Sequence, residues 1–320
     1  MGCMERLYRD GQLIASSDDE IILAVDSLSQ AGEVRRAAEA SALLLQPLLR
    51  RDPGCGVIAH QRVLRAASCL QDACSHEAAL PPDGLEAAKS FLEGAIRCTA
   101  TTKGSDFSTD PVGAPQLHEA LAVVHAKAGN FVMGQRHMLR SSAPASFARM
   151  LARWAAHLPP AEGELLLCRA CLCTLCVSPQ MLGPPGSLHA GTSTAPLVAA
   201  SPSGVASVRA LLDQVGELHR GGAAPSLDPA APLGHFVQFV LDALERRSPP
   251  MLTWLVAQYE ARLRDPALRK YSAVVQRRLG LELGLELAAT AGVLSMLADS
   301  PLPTTTASHG QTMSTIDDND

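Results

Sequence analysis

Apolar residues recur along this chain at the three- and four-residue spacing of amphipathic helices. Val34, Ala38, Leu45 and Leu49, for example, fall close to one face of a helix. No stretch shows the convincing alternation of apolar and polar positions that is typical of a β-strand. The pattern predicts helices over residues 34–49, 57–74, 85–97, 115–128, 131–141, 146–157, 161–177, 205–219, 232–247, 249–263, 266–281 and 285–297.

Breaker and capping residues separate these predicted helices. Pro53-Gly54 ends the first, and Gly129-Asn130 combines a stop with an N-cap for the next helix. Pro249 and Pro266 stand at helix starts, where the missing N–H of proline costs nothing. More than ten helices with mostly short connections predict an all-α fold, an α-solenoid of stacked antiparallel pairs. The W-x2-L-G pattern of tetratricopeptide repeats is lacking, so we expect a degenerate, tetratricopeptide-like repeat.

Two polar stretches divide the chain into its expected parts. Residues 178–204 are rich in Pro, Gly, Ser and Thr without an apolar period, which predicts a disordered insertion. The tail, residues 299–320, is rich in Thr and Ser and ends in aspartates, so we expect it to be disordered too. N-terminal helical repeats are then expected in residues 1–110, and C-terminal helical repeats in residues 111–177 and 205–298.

Composition fits a helical core and weighs against two kinds of partner. Of the 320 residues 47% are hydrophobic but only 3% aromatic, so Ala, Leu and Val must build the core. The formal net charge of −5 argues against a protein whose main task is to grip nucleic-acid phosphate. No apolar run reaches the roughly 20 residues that a membrane-spanning helix needs. We therefore expect neither nucleic-acid binding nor direct membrane insertion.

N-terminal charges and the cysteine count indicate the compartment. Glu5, Arg6 and Arg9 place charge where a signal peptide would have its apolar region. Nine cysteines are an odd number in a chain without an export signal, which favours reduced thiols. These features predict a soluble protein of the cytosol.

The sharpest candidate for chemistry is a run of four thiols, Cys168, Cys171, Cys173 and Cys176. Such a density occurs in zinc and iron–sulfur sites. On one continuous helix, however, the four side chains spread over more than half of the circumference, whereas a tetrahedral ion needs converging ligands. The surrounding leucines favour a buried helix in which cysteine packs as a small apolar residue. Packing is the preferred interpretation, and a metal or redox site is the alternative.

Histidines and glycine-rich turns give no enzyme or cofactor signature. The ten histidines show no H-x3-H or H-E-x-x-H spacing. His118 and His125 are seven residues apart on one helical face, but no carboxylate cluster beyond Glu119 accompanies them, so we expect solvated or packed histidines. Neither a phosphate-binding loop nor a G-x-S-x-G elbow occurs. We therefore expect a protein without catalysis and without a cofactor.

Three segments together resemble one family of helical scaffolds. Residues 113–122 read GAPQLHEALA, and residues 129–131 and 136–141 read GNF and RHMLRS. They are similar to the family's G-x-P-x-L-H-x-x-L-A run, its x-N-Y/F turn and its R-x-H-F-L-x-S helix. Residues 255–266 read LVAQYEARLRDP, similar to L-x-x-x-Y-x-x-x-L-x-R-D-P with one Arg shifted, and residues 291–297 resemble a small apolar helix near the family's acidic tail. The chain thus resembles the Golgi-to-ER traffic protein four family, the helical scaffold of the Golgi-to-ER traffic (GET) pathway.

This resemblance implies a non-catalytic cytosolic adaptor that helps deliver tail-anchored membrane proteins to the endoplasmic reticulum (ER). In the family, the N-terminal half docks the targeting ATPase. The C-terminal half holds a ubiquitin-like subunit that recruits a co-chaperone, and in animals a Bag-six scaffold shares that face. From the family pattern we expect the chain to begin inside the family's third or fourth helix and to carry residues 178–204 as an insertion. The missing helices belong to the half that docks the ATPase.

Candidate contacts for the ubiquitin-like subunit are apolar residues at helical spacing. They are Val208, Leu211, Leu212, Val215, Leu255 and Tyr259. The same spacing fits the core of the solenoid, and both interpretations stay open. Two other functions also remain: a metal- or redox-active helical protein built on residues 168–176, and a helical-repeat adaptor of an unrelated complex.

Overall fold

A computed structural model describes residues 8–9, 12–13, 18–45, 56–76, 81–100, 113–182 and 203–298. Within these ranges the chain forms twelve helices and one short antiparallel strand pair. The strands, Tyr8–Arg9 and Gln12–Leu13, have two residues each, too few for an alternating pattern to be recognised. The all-α prediction is therefore confirmed, with this small addition.

The twelve helices are numbered here in chain order. They are α1 (Asp18–Gln30), α2 (Val34–Leu43), α3 (Gly56–His76), α4 (Pro82–Thr99), α5 (Pro115–Lys127), α6 (Phe131–Met138), α7 (Pro144–Ala155), α8 (Pro160–Val177), α9 (Gly204–Arg220), α10 (Pro232–Glu245), α11 (Pro249–Gln258) and α12 (Pro266–Ala298).

Helices α1 and α12 differ most from the periodicity-based predictions, while α11 ends at Gln258 and not at residue 263. Helix α1 was not predicted, although acidic residues in its first turn precede buried apolar residues such as Ile22 and Val25 at helical spacing. Helix α12 is continuous, whereas the sequence predicts two helices, 266–281 and 285–297. The intervening Gly284 is tolerated because glycine costs only about 1 kcal/mol inside a helix.

Helices pack mainly onto helices one or two places away along the chain. Helix α1 contacts α2 and α3, α5 contacts α6 and α7, and α8 contacts α9 and α10. Connections such as residues 31–33, 128–130 and 246–248 have only three residues, and such short connections join antiparallel neighbours. Contacts confined to near neighbours are the signature of a repeat stack. The α-solenoid prediction is confirmed.

Two compact units divide the chain, residues 1–279 and residues 280–320. In the first, a core mainly of Ala, Leu and Val, which also includes Phe91, runs through α1–α5. In the second, the structure describes the continuing helix over residues 280–298, where Leu281 is exposed. The predicted tail, residues 299–320, lies outside the described residues.

Small residues allow the connection between α9 and α10 to pack closely on the helices. A Cβ atom on Gly163 of α8 would overlap the carbonyl oxygen of Ser226, and one on Gly234 of α10 would overlap that of Pro229. Leu227 of the same connection is fully buried. The connection is therefore an integral part of the packed structure.

Both ends of the predicted insertion 178–204 are described, and they meet. The amide of Gly204 donates to the carbonyl of Gln180 at 2.8 Å, and the amide of Val205 donates to that of Met181 at 3.1 Å. Met181 is fully buried. Residues 183–202 lie outside the described residues, so the prediction of disorder there remains a prediction.

Candidate functional site

Most residues predicted to contact the ubiquitin-like subunit lie in the interior of the stack. Five of them are buried, namely Val208, Leu211, Leu212 and Val215 on α9 and Leu255 on α11. Tyr259, just after α11, is half-buried. The ring of Tyr259 packs against that of Phe236 with 5.0 Å between centroids. Helical spacing alone could not separate core positions from partner positions, and in this structure the five residues are buried within the chain itself.

A guanidinium clamp fixes α9 onto α10. Arg209 donates to both carboxylate oxygens of Glu245 at 2.5 and 2.7 Å, and to Asp242 at 3.0 Å. Hydrogen bonds to Glu245 raise the already high pKa of Arg209, so the guanidinium stays charged. The buried apolar face of α9 is therefore held against its neighbours by a bidentate ion pair at the edge of the interface.

Two aromatic residues at the surface of the C-terminal helices are candidates for partner contact. Trp254 on α11 is 60% exposed, and Phe239 on α10 is 43% exposed. Helices α10 and α11 pack on each other, with Leu252 and Leu255 on the buried side of α11. The sequence analysis missed both aromatic residues. In the sequence they could have been recognised as large aromatic side chains that do not fall on the helix face of the buried leucines, in a chain with few aromatic residues.

The N-terminal helices also present apolar side chains to solvent. Leu23 on α1 and Ile58 on α3 are exposed, and the two helices pack together. Arg62 of α3 ties them by donating to Asp18 at 2.6 Å and to Asp19 at 2.8 Å. Exposed apolar residues thus lie on α1 and α3 as well as on α10 and α11.

The four-cysteine run lies on α8 as the packing interpretation describes. Cys168 and Cys171 are fully buried, Cys173 is almost so, and Cys176 is half-buried. Burial raises the pKa of Cys168 to about 12 and that of Cys176 to about 11, so both thiols are protonated at neutral pH. Within the described ranges, no group of three or more His, Cys, Asp or Glu side chains is arranged to hold a metal ion.

Polar contacts join α8 to the first half of α12 and to Asp265 just before it. Arg278 donates to the carbonyls of Leu175 at 2.8 Å and Cys176 at 2.9 Å, at the C-terminal end of α8. A cation there satisfies free carbonyls and complements the helix dipole. Arg169 of α8 also pairs with Asp265 at 2.5 Å and lowers the pKa of that carboxyl.

Three histidines meet between α5 and α6, which the sequence analysis did not predict. His118 is 1% and His125 5% exposed, and His137 of α6 is half-buried between them. The Nδ1 atoms of His118 and His137 are 2.9 Å apart, and the rings of His125 and His137 stack at 5.5 Å. Burial, followed by the charges of the other two histidines, lowers the pKa of His137 to about 4. His137 is therefore neutral at physiological pH.

A turn with a left-handed glycine brings these histidines together. Gly129 has φ +77°, and the following amide, that of Asn130, donates to the carbonyl of His125 at 2.8 Å. The Asn130 side chain then accepts from the amide of Met133, which caps α6. The stop and N-cap predicted from Gly129-Asn130 are confirmed.

Fold and surface define a class of protein: a helical-repeat scaffold whose exposed apolar residues lie on separate helices of one stack. Within this class the sequence decides the family. The profile of the family described as Golgi to ER traffic protein 4 matches residues 21–278. The chain belongs to this family, which is one of helical adaptors and is not known as an enzyme family.

The chain is similar to two individual proteins. The chain is 25% identical over 185 residues to Golgi to ER traffic protein 4 homolog of Dictyostelium discoideum, an alignment that covers 57% of this chain and 48% of the relative. The chain thus spans about half the length of this curated relative. The crystal structure of C. therm. Get4 aligns over 80% of this chain and 81% of that chain, at 20% identity and a TM-score of 0.43.

Among the described residues, none of the helices combines the length and the apolar character needed to cross a bilayer.

Proposed function

We propose that this chain is a non-catalytic adaptor in the post-translational delivery of tail-anchored membrane proteins to the ER. It would act in the cytosol and bridge a targeting ATPase, bound by the N-terminal helices, and a ubiquitin-like subunit, bound by the C-terminal helices. The observation that carries this proposal is the family match over residues 21–278, which includes all the helices from α2 to α11. The family assignment by itself supports a role in Golgi to ER traffic.

The physical form of the stack supports a bridging role. In a repeat stack each helix contacts only near neighbours, so early and late helices offer separate surfaces on one rigid frame. An adaptor needs this arrangement, because two partners must bind without competing for one surface.

For the ubiquitin-like subunit we propose a contact surface on α10 and α11 around Trp254, Phe239 and Tyr259. Exposed aromatic residues supply large contact areas at a small cost in conformational entropy, and they are enriched among the residues that dominate interface energies. The buried residues Val208 and Leu255 then act indirectly, by holding the helices that present these rings. A Bag-six-type scaffold, where the organism has one, is proposed for the same C-terminal face.

The metal- or redox-active alternative is not proposed. A tetrahedral ion needs converging ligands, whereas among the described residues no group of three or more His, Cys, Asp or Glu side chains is arranged to hold a metal ion.

Immobilised full-length chain, incubated with extract of the source cell, tests the proposal. The ubiquitin-like subunit and the ATPase would be quantified by mass spectrometry. We expect both in the wild-type eluate, and a loss of about tenfold in the ubiquitin-like subunit with Trp254→Ala.

Ile58→Ala is the matched control, because Ile58 is an equally exposed apolar residue in the N-terminal half. It should leave recovery of the ubiquitin-like subunit unchanged. If the wild-type chain, shown folded by circular dichroism, recovers neither partner, the adaptor proposal fails. If Trp254→Ala recovers the subunit as well as wild type does, the surface is wrong while the adaptor role stands.

A further inference from the structure

Residues 120–161 contain no acidic side chain, although the chain as a whole is acidic. Lys127, Arg136, Arg140, Arg149 and Arg153 give this window a charge of +5 with histidine neutral. The whole chain carries −5, so the rest of the chain carries −10. This asymmetry is local, and it coincides with α6, α7 and their connections, all of which the structure describes.

The four arginines lie on the solvent side of two helices that pack on each other. Arg136 and Arg140 are exposed at and just after the end of α6, and Arg149 and Arg153 are exposed on α7, with four-residue spacing in each pair. In the part of the chain that the structure describes, none of the four forms an ion pair with a carboxylate. By contrast, Arg209 on α9 carries two carboxylate partners.

Rings and an exposed aliphatic residue accompany these charges. Phe131 of α6 stacks on Trp154 of α7 with 5.8 Å between centroids and an angle of 9°, and His157 tilts against Phe131 at 5.4 Å. Phe131 and Trp154 are half-buried, while the neighbouring Val132 is 54% exposed. In a chain with 3% aromatic residues, a stacked pair at the surface between arginines is a concentrated contact site.

We propose that this basic hairpin, residues 131–157, binds an acidic protein segment that also carries an apolar or aromatic residue. The guanidinium forks of Arg149 and Arg153 suit the planar carboxylates of Asp and Glu, and the Phe131–Trp154 pair offers an apolar surface between the helices. The proposal rests on the charge and ring geometry of this chain and does not depend on the adaptor role.

Charge distribution favours an acidic protein segment over a nucleic acid or an anionic membrane. Screening limits electrostatic attraction to about 8 Å at physiological salt, so a short acidic segment meets only the local positive field of the basic hairpin. A long polyanion or a lipid surface would also approach the remainder of the chain, which carries −10. The exposed cations of the basic hairpin are all arginines, which bind carboxylates in a fixed bidentate geometry.

A peptide array tests the proposal with the full-length chain. The array holds peptides in which glutamates alternate with serine around a central leucine, and counterparts with glutamine for every glutamate or serine for the leucine. We expect binding to the glutamate–leucine peptides, weaker binding to the leucine-free peptides and none to the glutamine series. Fluorescence anisotropy with the best peptide then gives affinities for wild type and variants.

The decisive variant is Arg149→Glu/Arg153→Glu, and its matched control is Lys270→Glu/Arg277→Glu on α12. Both double variants change the net charge equally at exposed helix positions. We expect affinity to fall at least tenfold in the first and less than twofold in the second. Circular dichroism verifies that both fold.

Three results would overturn the proposal. The first is that the wild-type chain does not prefer glutamate peptides over glutamine peptides, and the second is that the two double variants lose affinity equally. In the third, single-stranded DNA or phosphatidylserine vesicles bind more tightly than the best acidic peptide in the same buffer, and Arg149→Glu/Arg153→Glu abolishes that binding.

Discussion

Protonation of His137 should weaken the fold in mild acid. The ring has a pKa of about 4 in the folded chain, because burial and the adjacent His118, His125 and Arg140 disfavour a further positive charge. In the unfolded chain the ring regains its ordinary pKa of 6.5. Between these two values the unfolded state binds more protons than the folded state, so stability falls as the pH falls from about 6.5 towards 4. Above about pH 6.5 the ring is neutral in both states and contributes nothing.

The magnitude follows from the two pKa values. Each pKa unit is worth about 1.4 kcal/mol, so the full difference corresponds to about 3 kcal/mol when both states are protonated. At about pH 5 only the unfolded state is largely protonated, and the loss is about 2 kcal/mol relative to neutral pH. Solvent reaches part of this ring and reduces the loss to about 1–2 kcal/mol. His125, whose pKa is also lowered by burial, adds to the loss in the same direction.

Urea unfolding followed by circular dichroism, at several pH values between about 7.5 and 5, measures this effect. We expect His137→Gln to reduce the pH-dependent loss of unfolding free energy by about 1–2 kcal/mol, whatever its effect at neutral pH. His235→Gln, the same substitution at an exposed position on α10, is the control. The reasoning would be refuted if wild type and His137→Gln lost the same free energy on acidification.

Three other predictions test the packing. Gly163→Ala should lower the free energy of unfolding by about 1–3 kcal/mol, because the new Cβ atom overlaps a backbone carbonyl. Its control, Gly280→Ala, places a Cβ atom in open space on a helix and should leave the free energy of unfolding unchanged or raise it, as measured by urea unfolding. Arg278→Ala should lower the free energy of unfolding by about 1–2 kcal/mol in the same assay, because its hydrogen bonds to carbonyls of α8 are lost. Arg277→Ala, at an exposed position, should change the free energy of unfolding by less than about 0.5 kcal/mol. Cys171 should resist alkylation by iodoacetamide at neutral pH until denaturant is added, because its thiol is buried and burial raises its pKa. Mass spectrometry of labelled peptides measures this, and modification of Cys171 in the folded chain would contradict it.

Local sequence signals determined most helix positions. Pro115, Pro249 and Pro266 begin helices because proline at the first turn gives up no hydrogen bond, and Gly129-Asn130 ends one helix and caps the next. Apolar spacing supplied the helices between such signals, since one face of each helix must be buried. The family resemblance also rested on local runs, around His118 and Tyr259, and the family match over residues 21–278 confirms it.

Only the tertiary structure decided which apolar and titratable residues are buried and which are accessible. Val208 and Leu255 have the spacing of both a core and a binding groove, and α9 and α11 place them inside. Trp254 remains exposed because its position on α11 is out of phase with the buried leucines. His118 and His137 are 19 residues apart in the sequence, and their contact depends on the antiparallel packing of α5 and α6. Periodicity determines one helix at a time, whereas burial and charge environment depend on the helices packed against it.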